Sequence, residues 1–387
     1  MGRPLRICFF GRTMPAHRGG KGMFHPFLVA SALAQRGHDI TILTTSHARM
    51  TEESPHPGLH ILYLPGTPSD QYSDEYWQAS TMVFDRLHGL SPFDAVWSDS
   101  AGAAGWSRLS ASRFEVPLIA VCHAGLGMIA HDRARDFFAT THHDMLRSAA
   151  AIVCVSRTVA ESIAAGLPRS ADKIRIVPNG ADPGVFRVSA RDVALLRREL
   201  KLDARPVLLY LGRVVPEKGG ETLVRAVATL AQPRPQLLIV GPGPHATELR
   251  TLAATLDVSL TLVPGVEHHQ TPRYLSLADL FILPTHHFEG LPFTLIEAMF
   301  CRRPIIACDI GGVSEIIRHE HTGLLTPPRN PVALAAAITR LLADRRLRES
   351  LAAAGYEHAR RCYSLEAMID STETLLRETC AAGSICA

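Results

Sequence analysis

The chain has 387 residues, too many for one ordinary core, and length alone points to two or three domains, of which two is the starting expectation. Hydrophobic residues make up 47% and charged residues 20%, a globular balance that excludes intrinsic disorder. A formal net charge of +3 gives no field strong enough to mark nucleic acid or an anionic membrane as the natural partner.

The first apolar run, Leu5 to Phe10, has strand length and is too short for the core of a signal peptide. Further runs of strand length follow at Ile40 to Thr45, Leu59 to Leu64, Ala95 to Trp97, Leu118 to Cys122, Ala151 to Val155 and Ile174 to Val177. Helix-length segments separate them, the alternation that yields a parallel sheet wrapped by crossover helices. A turn-rich cluster, Asn179-Gly180-Ala181-Asp182-Pro183-Gly184, then interrupts the pattern and leads into the charged, helix-like Arg191 to Leu200.

The alternation resumes with Val207 to Leu211, Gln236 to Val240, Leu260 to Val263, Leu280 to Leu283, Pro304 to Cys308 and Gly323 to Leu325. The expected fold class is therefore α/β, with two doubly wound, Rossmann-like domains. We place them at residues 1–182 and 183–362, with a C-terminal helix in 363–387 that packs back on the first domain. Sheets of this kind bind ligands in the loops after their strands, so a cleft between the carboxyl ends of both sheets is the expected site. No stretch approaches the ~18 apolar residues of a membrane span. The eight cysteines form no C-x-x-C pair, and several sit in apolar runs, as buried reduced thiols do. A soluble cytoplasmic protein is expected.

Two segments carry chemistry. Leu211-Gly212-Arg213-Val214-Val215-Pro216-Glu217-Lys218-Gly219-Gly220 follows a strand and precedes a helix. Its guanidinium and ammonium bracket a loop that can curl around a diphosphate; taken alone, the same pattern serves two solvated cations beside a turn. Lys218 is also one of only four lysines, with Lys21, Lys173 and Lys201.

The second segment runs from Thr285 to Met299 and contains Glu289-Gly290-Leu291-Pro292-Phe293 and Glu297. Pro292 suits the first turn of a helix, whose backbone N–H groups would face an anion. Glu289 lies before that helix and Glu297 inside it, so the two carboxylates can reach different hydroxyl-bearing parts of one ligand. An acidic turn that only complements the helix dipole is the plainer alternative.

Together these segments resemble the nucleotide-sugar site of family 4 of the retaining glycosyltransferases, whose two-domain fold is called GT-B. The resemblance spans the chain through Arg18-Gly19-Gly20, Val177-Pro178-Asn179-Gly180-Ala181-Asp182, the Arg213 and Lys218 loop, Gly241-Pro242-Gly243-Pro244, Pro264-Gly265-Val266, the two glutamates and Gly311-Gly312-Val313-Ser314-Glu315. It implies that Arg213 and Lys218 hold the donor diphosphate and stabilise it as it departs. Glu297 would bind the ribose hydroxyls and Glu289 a hydroxyl of the transferred sugar. Backbone N–H groups from Gly290 through Leu291 and Pro292 to Phe293 would complete the cradle, with the base near Gly243 and Val266. Gly19 and Gly20 would let the first domain's main chain approach the same phosphates, and domain closure would assemble the site.

The resemblance also assigns His123, at the end of the run Pro117 to Cys122, a place beside the reacting sugar, and makes the first domain the acceptor domain. The acidic, aromatic segment Gly66 to Ser91, with Asp70, Tyr72, Asp74, Glu75, Tyr76 and Trp77, is then a candidate acceptor wall suited to a small polar acceptor carrying ammonium groups. Asp99 could orient an acceptor hydroxyl. No cofactor beyond the nucleotide-sugar co-substrate is expected. The pairs His142-His143, His268-His269 and His286-His287 lack the spacing of a zinc site, and no Asp-x-Asp follows a strand, so no metal is expected either.

The family reacts at the front face of the sugar without a carboxylate nucleophile, so the expected reaction is metal-independent retaining transfer of a hexose or N-acetylhexosamine from a UDP-sugar to an acceptor hydroxyl. A sugar-nucleotide epimerase, a glycan phosphorylase of the same fold and a non-catalytic sugar-binding protein are the alternatives, since fold alone does not fix function.

Overall fold

A computed structural model of the chain describes residues 2–18, 25–126 and 133–383. The described residues up to Val177 and from Met368 onward form one compact unit, and Pro178–Ala367 form the other.

The first unit is built on eight strands: β1 (Arg6–Phe10), β2 (Asp39–Thr44), β3 (Glu52–His56), β4 (Leu59–Tyr63), β5 (Ala95–Asp99), β6 (Leu118–Cys122), β7 (Ala151–Cys154) and β8 (Ile174–Ile176). Their order is β3-β4-β2-β1-β5-β6-β7-β8, parallel throughout except where β3 pairs antiparallel with β4. Strand β3, Glu-Glu-Ser-Pro-His, has no apolar run to announce it and occupies the edge, where a proline costs no ladder bond. The central strands β1, β5, β6 and β7 are buried almost throughout, as strands covered on both faces must be.

The helix Leu365–Gly383 begins in the second unit and, from Met368, belongs to the first. It is fastened there by polar contacts: Arg36 pairs with Asp370 at 2.7 Å and with Glu373 at 3.1 Å, and Arg377 donates to the Arg3 carbonyl at 3.0 Å. Met368, Ile369, Leu375 and Leu376 on the same helix are buried.

The second unit has six parallel strands: β9 (Val207–Leu211), β10 (Gln236–Val240), β11 (Leu260–Val263), β12 (Leu280–Leu283), β13 (Ile305–Cys308) and β14 (Leu324–Thr326). Their order is β11-β10-β9-β12-β13-β14. The loops after β9, β10, β11 and β12 consequently emerge side by side at one edge of this sheet. The seven described cysteines form no disulfide. Among the described residues, no helix is long and apolar enough to cross a membrane.

Candidate active site

In the second unit the two chemistry-bearing loops are tied to each other through their backbones. Lys218 ends a short 3₁₀ turn, Pro216–Lys218, and the Glu217 carbonyl accepts the His286 N–H at 3.0 Å. Gly219 follows with φ +74°, and a Cβ there would stand 1.9 Å from the Pro284 carbonyl oxygen, so only glycine permits the approach. The loops after β9 and β10 are joined as well: Val214 N–H donates to the Pro242 carbonyl at 2.8 Å, and His245 N–H to the Val214 carbonyl at 3.2 Å.

On this frame Lys218 Nζ lies 2.5 Å from Glu289 Oε1, with both side chains largely buried. Arg213 is exposed at the mouth of the β9 loop. The buried Tyr210 hydroxyl donates to the Arg213 carbonyl at 2.6 Å and so fixes where that loop turns. Burial first, then the Glu289 carboxylate, push the Tyr210 phenol above its ordinary range. The Glu289 carbonyl accepts the Gly312 N–H at 2.8 Å, while Gly311 sits at φ +59° where a Cβ would meet that same carbonyl at 2.3 Å. The Gly311-Gly312 pair thus clamps the Glu289 loop.

Glu297 is 2% exposed, on the helix Phe293–Phe300, and accepts a hydrogen bond from His268 Nε2 at 2.8 Å. Pro292 is the residue that caps this helix rather than part of its first turn, because its ψ of 121° is still extended. Just before it, the Leu291 carbonyl is held by the Asn179 side-chain amide at 2.7 Å. Gly290 and Leu291 are buried, Phe293 half-buried. Gly243 and Val266 are half-exposed in the loops after β10 and β11, on the same sheet edge. Sequence reasoning met His268 only as half of an adjacent pair and Asn179 only within the domain-junction motif, and gave neither its contact with Glu297 or Leu291. His268 directly follows the Pro264-Gly265-Val266-Glu267 loop, which could have marked it.

In the first unit, β5 and β6 are parallel neighbours, and Asp99 and His123 leave their carboxyl ends together. His123 Nε2 donates to Asp99 Oδ1 at 2.7 Å. The buried His25, first residue of the helix His25–Gln35, brings Nδ1 to 3.6 Å from the same oxygen, with its ring 4.6 Å from that of His123. Burial would raise the Asp99 carboxyl, but the charge and hydrogen bonds of His123 and His25 outweigh it and hold the acid well below the usual carboxylate range. Burial, with the neighbouring His123, lowers His25 despite Asp99.

Asp99 and His123 share a pocket of about 260 Å³ with Arg12, Tyr72 and His142. The Tyr72 hydroxyl donates to the Asp99 carbonyl at 2.6 Å. His142 is 5% exposed, and neither of its ring nitrogens has a hydrogen-bond partner among the described residues. Burial, then His143, push its imidazole down to about 4. Sequence reasoning missed His25 and met His142 only as half of an adjacent pair, because the fold alone brings them to Asp99 and His123.

The ligand-atom positions of His25, Asp99 and His123 lie within 4.8 Å of one another, a spacing that could accept a cation. The expectation of no metal rests on the adjacent histidine pairs and the absence of an Asp-x-Asp after a strand, and does not take in this trio.

The expected acceptor wall is corrected at Asp74, Tyr76 and Trp77, whereas Tyr72 of the same segment does line the pocket of Asp99 and His123. Tyr76 is fully buried and donates to the Leu43 carbonyl at 3.0 Å, and Trp77, 3% exposed, donates to the Ala101 carbonyl at 3.0 Å. Both are core residues, because the helix Asp74–Leu90 turns its aromatic face inward. Asp74 and Glu75 are exposed in the first turn of that helix, where carboxylates complement its dipole. Asp70 is engaged by Arg18 at 2.8 Å and by the Thr13 hydroxyl. Gly19 and Gly20 lie outside the described residues.

The model of the family "Glycosyltransferase Family 4" matches residues 25–185, and that of "Glycosyl transferases group 1" matches residues 193–358. The alpha-D-kanosaminyltransferase of Streptomyces kanamyceticus is 30% identical over 292 residues, 72% of this chain and 75% of that protein. The chain belongs to the family 4 glycosyltransferases. A D-inositol 3-phosphate glycosyltransferase of Stackebrandtia nassauensis is 28% identical over 92% of this chain and 88% of its own length. The Anabaena HepE structure in complex with UDP and glucose superposes with a TM-score of 0.78 at 17% identity, over 97% of this chain and 100% of that one. This family 4 enzyme therefore has the GT-B fold, and the two units are its two Rossmann-like domains.

Proposed function

We propose that this glycosyltransferase moves a hexose or N-acetylhexosamine from a UDP-sugar to a hydroxyl of a small polar acceptor, with retention and without a metal. The observation that carries the reading is the Lys218–Glu289 pair, 2.5 Å apart and largely buried at the sheet edge where Arg213 also emerges. Lys218 and Arg213 hold the diphosphate, and Glu289, released from Lys218 when the donor enters, accepts from a hydroxyl of the sugar. Glu297, fixed by His268, takes the ribose. UDP is also what the HepE structure contains.

Retention by double displacement needs a carboxylate free to attack the anomeric carbon. In this reading Glu289 goes to a hydroxyl of the sugar and Glu297 to the ribose, so neither is left for the anomeric carbon, which supports a front-face reaction in which the departing phosphate oxygen takes the acceptor proton. Stabilisation of that phosphate by Arg213 and Lys218 is the main catalytic contribution.

On the acceptor side, the reading rests on the pocket of Asp99, His123 and His142. A buried neutral imidazole with both nitrogens unpartnered offers one donor and one acceptor, the set that a hydroxyl satisfies. A polyhydroxylated acceptor fits these groups, and the D-inositol 3-phosphate glycosyltransferase takes its name from a cyclitol phosphate. The decisive experiment incubates UDP-, GDP- and ADP-sugars with cyclitols, simple sugars and polyprenyl-linked sugars, and identifies the product and its anomer by NMR. An α-linked product from an α-UDP-sugar and a cyclitol or sugar supports the reading. An inverted anomer, or transfer from a GDP-sugar only, overturns it.

A further inference from the structure

At the opposite edge of the second unit's sheet lies a larger pocket of about 1010 Å³. Ser276 and the Cys301-Arg302-Arg303 turn, which lead into β12 and β13, place it at the amino ends of strands whose carboxyl ends carry the donor loops. Its floor is aromatic. Phe186 stacks on Phe300 with centroids 5.9 Å apart, and Phe300 meets Tyr356 edge-on at 6.3 Å.

Four arginines, Arg187, Arg197, Arg302 and Arg303, line this floor, and no carboxylate does. Among the described residues none of the four forms an ion pair. Arg197 and Arg303 spend N–H groups on backbone carbonyls, Arg303 on those of Cys301, Ser276 and Ala278. Asp279 is the acid whose charge reaches Arg303, without an ion pair to it, and its carboxylate accepts from the Val207 N–H.

Arg302 stands at φ +53°, in the left-handed region that a residue with a side chain rarely adopts, and its guanidinium lies 3.8 Å from the Tyr356 ring centroid. Strain of this kind persists where the surroundings impose it, and here it delivers a cation to an aromatic surface.

We propose that this pocket is a second ligand site, separate from the donor loops, for a small anion that carries an aromatic or apolar ring. The aromatic floor takes the ring and the arginines take the phosphate or carboxylate, in the division of labour usual for small-molecule pockets.

Phenyl phosphate is the probe, titrated calorimetrically into the full chain at low salt. Saturable binding is expected, at least tenfold tighter than that of inorganic phosphate or phenol. Arg302→Gly should weaken it at least tenfold while the fold is retained, since glycine suits that backbone. Arg187→Ala, at an exposed side chain, provides a second variant and should weaken binding severalfold. Lys218→Ala, in the donor loops, should leave phenyl phosphate affinity within twofold. The proposal is overturned by absence of saturable binding, by binding lost in Lys218→Ala but kept in both arginine variants, or by sedimentation with phosphatidylglycerol vesicles that needs the arginines while phenyl phosphate does not bind.

Discussion

Lys218 and Glu289 neutralise each other at 2.5 Å. In the proposed reading, donor binding exchanges this one ion pair for two ligand contacts, and until then each partner depends on the other. Replacing Lys218 by alanine removes a proposed phosphate ligand and leaves a largely buried carboxylate without its cation. We expect Lys218→Ala and Arg213→Ala each to lower turnover by two or more orders of magnitude, about the effect of losing one oxyanion donor. Only Lys218→Ala should also lower the melting temperature, since Arg213 is exposed. Turnover of both variants within threefold of wild type would remove the diphosphate assignment.

A second expectation concerns pH. The buried His142 titrates at about 4 when folded, whereas its ordinary value is 6.5. Between these values the unfolded chain binds the extra proton, so the stability this group contributes is complete above pH 6.5 and is lost as pH falls toward 4. The full effect is roughly 3 kcal/mol. His25, also lowered by burial, acts in the same direction. His142→Phe should therefore flatten the fall in denaturant midpoint between about pH 6.5 and about pH 4.5. Parallel profiles for the variant and wild type would contradict the assignment.

Trp77 tests the corrected acceptor wall. Truncation of a buried indole whose N–H is paired should cost about 3–5 kcal/mol, measured by chemical denaturation. Asp74→Asn, at an exposed helix start, should leave the acceptor KM unchanged. A raised acceptor KM in Asp74→Asn would restore the wall.

Gly219→Ala forces a Cβ to within 1.9 Å of the Pro284 carbonyl at φ +74°. The two donor loops must then separate, and we expect a loss of at least about 1 kcal/mol of stability, together with a raised KM for the donor. Wild-type donor kinetics would show that the loop junction does not govern the site.

Chelation is the remaining test. Activity should survive EDTA, because in the proposed reading Arg213 and Lys218 neutralise the donor phosphates. Loss on EDTA that manganese or magnesium restores would reassign His25, Asp99 and His123 as a cation site.

Much of the fold was legible because parallel strands buried on both faces read as apolar runs, and the loops after β9 and β12 carry their chemistry in contiguous sequence. Strand β3 was not legible, since an edge strand of Glu, Ser, Pro and His has no apolar signature. The groups around Asp99 were only half legible: Asp99 and His123 each end a run, but His25 and His142 come from helices that only tertiary packing brings to them. Tyr76 and Trp77 misled because neighbouring acids mask a helix whose aromatic face turns inward. Asn179 shows the converse, a residue in a recognised turn whose contact with Leu291 lies far away in sequence.

The helix Leu365–Gly383 has a consequence for how the molecule is made. A chain leaving the ribosome from its amino end exposes every strand of the first domain, then the whole of the second, before the stretch from Met368 appears. Domains ordinarily mature in the order of synthesis. Here the domain translated first is completed last. Until Asp370 and Glu373 arrive, Arg36 lacks its ion pairs, and the first domain is without the helix that completes it, supplied from more than three hundred positions downstream of Arg36.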